Sequence, residues 1–164
     1  MWDRIIETLR VEFSDAADPE QIVRILVRLL LAAALGGVLG YEREQRGKAA
    51  GIRTHMLVSM GAALFVLVPQ QAGMLTADMS RVIQGIVAGI GFLGAGAIVK
   101  HRSEESVQGL TTAAGVWMTA AIGIACGLGR ESTALLSTVL ALVVLALVPK
   151  LVVRGKDEPE AKRD

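Results

Sequence analysis

Residues 89–99, GIGFLGAGAIV, hold four glycines and two alanines inside an apolar run that carries no charge from Val82 to Val99. Glycine disfavours helix and strand interiors alike, because it loses more backbone entropy on ordering than any other residue. A segment this rich in glycine and this free of charge therefore points away from a water-facing surface. In lipid, where no hydrophobic drive pulls helices together, bare helix ridges let backbones approach closely. Close packing inside a membrane is the first expectation.

The rest of the chain agrees. Crossing the hydrocarbon core takes about 20 mostly apolar residues in a helix. Five segments qualify, over residues 22–41, 54–74, 82–99, 110–128 and 133–153. Together they take up about 100 of the 164 residues, leaving short connectors. The runs are continuous rather than alternating, which argues against a barrel. The sequence predicts an all-α polytopic membrane protein with five transmembrane helices in a Gly/Ala-rich bundle over residues 21–153. Trp2, Ile5, Ile6, Leu9 and Phe13 fall at helical spacing, so residues 1–20 read as an amphipathic segment lying in the interface or packing on the bundle end. No cleavable leader is expected there, because the segment lacks an apolar stretch. Asp18 and Pro19 read as the start of the first span. Residues 154–164 form a charged tail expected to lack structure.

Charge bounds partners and orientation. The net charge is +1, which gives no electrostatic footprint for nucleic acid. Cys126 is the single cysteine, which rules out an internal disulfide or a thiolate zinc cluster. If five spans alternate, eleven of the 17 Lys and Arg residues fall on one side: those of the first and third connectors and of the tail. The positive-inside rule then places the N-terminus outside and the C-terminus in the cytoplasm. Arg24 and Arg28, one turn apart in the first span, count on the outer side and are expected to snorkel to the interface.

Three glycine pairs spaced four apart lie on three different spans: Gly36/Gly40, Gly85/Gly89 and Gly123/Gly127. In the third span Gly91, Gly94 and Gly96 extend the bare surface. Tight packing explains these residues, and a leucine at Gly94 is then expected to disrupt the bundle. The alternative is that GFLGAG breaks the helix and, with Thr111 and Thr112 of the fourth span, lines a polar path. The first connector raises a second candidate. Glu42 and Arg43 follow a Gly-rich helix end, and Arg53 and Thr54 precede the next helix. These four residues read either as a positive-inside anchor or as a clasp in which Glu42 pairs with Arg53 or Arg43. His55 and His101 read as connector or interface residues, and Asp78 as a loop residue or cap. No nucleophile–base pair and no His/Cys/carboxylate cluster at metal-ligand spacing stands out, so neither an enzyme, a metal site nor a cofactor is expected.

At this point the sequence resembles the MgtC/SapB family of bacterial inner-membrane proteins. Four blocks carry the resemblance in order: GxxxGxERE at residues 36–44, AAGIRTHMLVSMGAALF at 49–65, GIGFLGAGAIV at 89–99 and GLTTAAGVWMTAAIGIACGLG at 109–129. The resemblance implies five spans with a cytoplasmic C-terminus, and a role in adaptation to low magnesium and in intracellular survival. One branch is thought to inhibit the membrane sector of the F-type ATP synthase, which makes such a complex the implied partner beside the lipid bilayer. The virulence branch reads close to LNTAATLWC where this chain has LTTAAGVWM, so Thr111 and Met118 depart from it. Longer members also carry an ACT-like domain after the last span, where this chain has RGKDEPEAKRD. Two functions follow as expectations. One is a small regulatory, stress-adaptation protein acting through a membrane partner. The other is a homo-oligomeric channel or transporter for Mg2+, a proton or an anion.

Overall fold

The computed structural model describes residues 1–12, 18–100 and 107–154. Phe13, His101 and the tail beyond Arg154 lie outside them. Six helices run in chain order: α1 (Trp2–Glu12), α2 (Pro19–Gln45), α3 (Ile52–Gln71), α4 (Thr76–Ala97), α5 (Leu110–Gly127) and α6 (Glu131–Arg154). The last five are long and apolar enough to cross a membrane. A two-residue antiparallel strand pair, β1 (Val99–Lys100) and β2 (Val107–Gln108), closes the α4–α5 connection, with Val99 opposite Gln108. The chain is an all-α polytopic membrane protein, and this short ladder is a feature that its sequence did not announce.

Local chemistry sets the helix ends. Asp18 caps α2, its carboxylate accepting from the Glu20 N–H at 3.0 Å, and Pro19 fills the first turn, where a missing N–H costs nothing. Gly47, Gly73, Gly109 and Gly129 take positive φ at the helix junctions, a conformation that side chains other than glycine's resist. Apolar length misplaces two boundaries, since α4 begins at Thr76 rather than at Val82 and α2 overruns its expected end. The α2 helix does not stop at Tyr41 but continues through Glu42, Arg43, Glu44 and Gln45, because these are good helix formers and only Gly47 turns the chain. Likewise Arg53 and Thr54 belong to the first turn of α3, which begins at Ile52.

The core is a three-helix unit with α3 between α2 and α5. Ala32, Leu35 and Leu39 of α2, Ala63 of α3, and Ile122 and Cys126 of α5 are all buried, joined by Ala134 of α6. A second cluster, with Ala62, Val66, Met79, Ile86, Ala120 and Ile124, attaches α4. Glycine ridges let α3 sit this deep. A Cβ on Gly36 would lie 2.9 Å from Ser59 Cβ, and one on Gly40 would lie 2.6 Å from Ile52 Cα. On the opposite side, Cβ atoms on Gly123 and Gly127 would overlap the carbonyl oxygens of Ser59 and Ala63. Two of the three glycine pairs therefore press directly on the α3 backbone.

The third pair does not. A Cβ on Gly85, Gly89, Gly91 or Gly96 would meet nothing within 4 Å, and one on Gly94 would make an ordinary 3.6 Å contact with Ala113. Phe92 is 83% exposed. The most glycine-rich stretch of the chain thus lies mainly on the outside of the protomer, with Gly94 the exception: it is buried, and its backbone leaves room for a methyl but not for a longer side chain such as leucine. Spacing marks a smooth face without saying what covers it. The GFLGAG segment also does not break the helix, since α4 runs unbroken to Ala97. At the N-terminus, α1 buries none of its residues, as befits a helix with one apolar and one charged face.

Candidate functional site

Where α2 ends and α3 begins, charged groups are drawn into the bundle. Arg43 is only 3% exposed. Its Nε donates to Glu42 Oε2 at 2.5 Å, and its Nη2 contacts the same oxygen. Arg46, one turn on, brings its Nε to 2.5 Å from Glu42 Oε1 as an ion pair without hydrogen-bond alignment. One carboxylate thus lies between two guanidinium groups, and the buried cation is neutralised within its own helix. Glu44 performs a different task. Its Oε2 accepts the Ile52 N–H at 2.9 Å and caps the start of α3, where the helix dipole favours a negative charge. A Cβ on Gly51 would run into that carboxylate, so glycine there leaves room for the cap.

The clasp expected from the sequence is therefore rearranged. Glu42 pairs with Arg43 and Arg46. Arg53 is exposed and makes no ion pair among the described residues, and Thr54 is exposed beside it. The bridge between the two helices is carried by Glu44 instead.

Deeper in, α3 presents two polar side chains that sequence reasoning missed. His55 and Ser59 are fully buried and one helical turn apart. The His55 Nδ1 lies 3.0 Å from the Gly51 carbonyl, which can only accept, so Nδ1 carries the proton and donates. This leaves Nε2 as an acceptor, and neither it nor Ser59 Oγ has a hydrogen-bond partner among the described residues. Gly115 of α5 faces this point. A Cβ there would lie 3.6 Å from His55 Nε2 and 3.8 Å from Arg43 Cδ. Three helices thus meet at Arg43, His55 and Gly115. A clue was present in the sequence: His55 follows Gly51 by four and precedes Ser59 by four, a single helix face.

The fourth-span threonines separate. Thr112 is buried at 2% exposure, whereas Thr111 is exposed. Thr111, Gly91 and Gly96 are all exposed, so these residues do not enclose a polar path within the protomer, whereas Gly94 is buried against α5 beside Ala113. Among the described residues, no group of three or more His, Cys, Asp or Glu side chains could hold a metal ion.

At the other end of the core, Arg28 does not snorkel outward. Its Nη1 donates at 2.8 Å to both Gln70 Oε1 and the Gly127 carbonyl, tying α2 to the ends of α3 and α5.

Residues 29–154 match the MgtC family. This chain belongs to that family. It is similar to YhiD of Escherichia coli K12, 42% identical over 136 residues that cover 79% of this chain and 62% of YhiD. It is also similar to SrpB of Synechococcus elongatus, 45% identical over 131 residues, 73% of this chain and 71% of SrpB. MgtC of Brucella abortus is 46% identical over 123 residues, 74% of this chain and 50% of that protein. The chain thus spans between half and about 70% of these relatives' lengths. No solved structure matches it. The matched region contains α3, α4 and α5 whole and most of α2, so the ion pair, the buried histidine and both inward glycine ridges belong to the family domain.

Proposed function

We propose that this MgtC-family protein is a small regulatory protein of the bacterial inner membrane, acting on a membrane partner rather than carrying ions through its own core. One observation supports this reading above others. Between the polar end at Arg43, His55 and Ser59 and the polar end at Arg28 and Gln70 lies a dry layer. Ala32, Leu35, Ala63, Val66, Leu67 and Ile122 form it, each 8% exposed or less. An ion path needs polar groups or water along its length, and this buried apolar layer offers no polar side chain to line one. Glu42, committed to two arginines, also offers poor affinity for a divalent cation beside the positive Arg43.

The partner in this reading is a membrane-embedded complex, the membrane sector of the F-type ATP synthase being the one the family resemblance implies. The physiological setting is adaptation to low magnesium and intracellular survival, with the N-terminus outside and the C-terminus in the cytoplasm. A groove of about 660 Å³ between α3 and α4, lined by Leu57, Phe65, Ile86 and Ile90 and floored by Gly61, Gly85 and Gly89, could take a partner helix. Photo-crosslinkers at Phe65 and at Leu93, which also lines the groove, on magnesium-starved cells, test this. Adducts with identified ATP synthase subunits are expected. Adducts with copies of this chain alone, under both starvation and plenty, would refute the partner reading.

A transport reading has its own support. The name of YhiD carries the words magnesium transporter, and His55 Nε2 and Ser59 Oγ leave two buried polar groups unmatched. Since the protomer core is closed by the dry layer, a conduit would have to run between copies in a homo-oligomer. Flux of Mg2+, protons or chloride into liposomes holding folded protein would favour this reading, and silence in the same vesicles favours the regulatory one.

A further inference from the structure

The geometry points to a binding site for a phosphate monoanion, supplied by the phosphodiester of an anionic membrane lipid, in the cleft between the N-terminal part of α2 and the end of α3. A cavity of about 330 Å³ opens there, walled by Asp18, Gln21, Arg24, Arg28, Gln70 and Gln71. Two arginines and three carboxamides supply donors. The one carboxylate, Asp18, is engaged by the Glu20 N–H.

The cleft is built rather than incidental. Arg28 lies nine residues into α2, about 13 Å along the axis from the helix start and level with the ends of α3 and α5. The fold fixes it there. Its Nη1 donates to Gln70 Oε1 and the Gly127 carbonyl, and the left-handed Gly129 (φ 71°) omits the Cβ that would strike the guanidinium. Both acceptors are neutral, so Arg28 is held in place with its positive charge uncancelled by them. Arg24 stands one turn nearer the helix start, on the same face. A planar guanidinium fork pairs with phosphate oxygens at two points, which a lysine could not reproduce.

The lipid source is favoured over the free ion by what flanks the cleft. Val23 and Val27, 59% and 52% exposed, alternate with the arginines along the outward side of α2, and the same two arginines border a second cleft that these valines share with Glu20 and Glu131. A headgroup seated on Arg24 and Arg28 would thus run its acyl chains down an apolar helix face. Free phosphate would use the cations and ignore that face.

Lipid retention by the purified full chain in native mass spectrometry tests the assignment, with phosphatidylglycerol, diacylglycerol and inorganic phosphate offered in separate arms. Phosphatidylglycerol should be retained and diacylglycerol lost. Arg24→Gln should weaken retention roughly tenfold, the loss of one charge-assisted contact, with an unchanged melting temperature in delipidated detergent. Arg24→Lys should recover only part of the binding. Arg28 is avoided as the primary variant because it also joins three helices. Equal retention by Arg24→Gln, or equal retention of diacylglycerol, overturns the site. Saturation by inorganic phosphate with no preference for the lipid overturns the lipid assignment.

Discussion

The sharpest test of how this bundle holds together compares two glycines with the same local spacing. Gly123 of α5 and Gly89 of α4 each belong to a pair four residues apart on an apolar helix. A Cβ on Gly123 would overlap the Ser59 carbonyl oxygen and lie 2.9 Å from Ser59 Cα, whereas one on Gly89 meets nothing within 4 Å. The obstacle at Gly123 is backbone, not the end of a flexible side chain, so α5 and α3 must separate by most of an ångström. A gap of that size forfeits a quarter to a half of each dispersion contact along the seam. Overpacking of a tight core costs about 1–3 kcal/mol, and this rigid case belongs at or above the upper end. Alanine at Gly89 meets no such obstacle, and its better helix propensity favours the folded state by up to about 1 kcal/mol. Unfolding in mixed micelles, followed by circular dichroism along an SDS titration, should therefore show Gly123→Ala clearly destabilised and Gly89→Ala unchanged or slightly stabilised. Equal loss in both variants would mean that α4 packs as tightly as α5, and no loss at Gly123 would mean that the α3–α5 approach is not as close as described.

Other variants probe the charged end. Glu42→Gln leaves Arg43 buried beside a neutral amide and should destabilise by about 2–4 kcal/mol in the same titration, with the Glu42→Gln/Arg43→Gln pair recovering part of the loss. A double variant no better than the single would show that the two charges are not coupled. Glu44→Gln keeps a cap oxygen but loses its charge at the start of α3, so the expected loss is under about 1 kcal/mol and shrinks in high salt. Arg53→Gln, at an exposed position, should change stability by no more than about 0.5 kcal/mol; a loss matching that of Glu42→Gln would restore Arg53 to the clasp. Gly115→Ser places a hydroxyl near His55 Nε2 and should be tolerated better than Gly115→Val, whose branched side chain has only the 3.6 Å clearance to the imidazole; the two melting temperatures decide.

Most of the architecture could be read from the sequence, for a physical reason. Crossing lipid demands length and apolarity, both linear properties of the chain, so all five spans are visible, most ends within four residues and the start of α4 six residues late. What failed was contact. Hydropathy ends a span at Tyr41 because Glu42 is charged, but hydrogen bonding continues to Gln45, and this extra turn brings Glu42 within reach of Arg46. Spacing alone likewise makes Gly85/Gly89 identical to Gly123/Gly127. Only the placement of α3 against α5 separates a ridge that is filled from one that is bare. His55 was read as an interface residue because it stands beside a basic connector. It is buried because Gly36, Gly40 and Gly115 clear the space around its turn of α3, a relation among three helices that no single segment displays.

The same distinction bears on what the protein is for. Close packing uses the glycines of α2 and α5, while α4 joins the core through Met79 and Ile86 and not through its Gly85/Gly89 ridge. Gly85 and Gly89 therefore contribute little to the protomer's own stability, and as helix interiors they lower it relative to alanine. A glycine that the fold does not need points to something outside the fold, and in a bilayer the competing neighbours are lipid and another helix. Lipid chains adapt to any surface and gain little from a missing methyl, whereas a helix backbone gains the close approach that Gly123 already gives to Ser59. If a partner does sit there, Gly89→Leu should leave the isolated protomer's unfolding unchanged and abolish crosslinking from Phe65 to that partner. Loss of both together would place Gly89 in the protomer's own packing and remove the case for a docked helix.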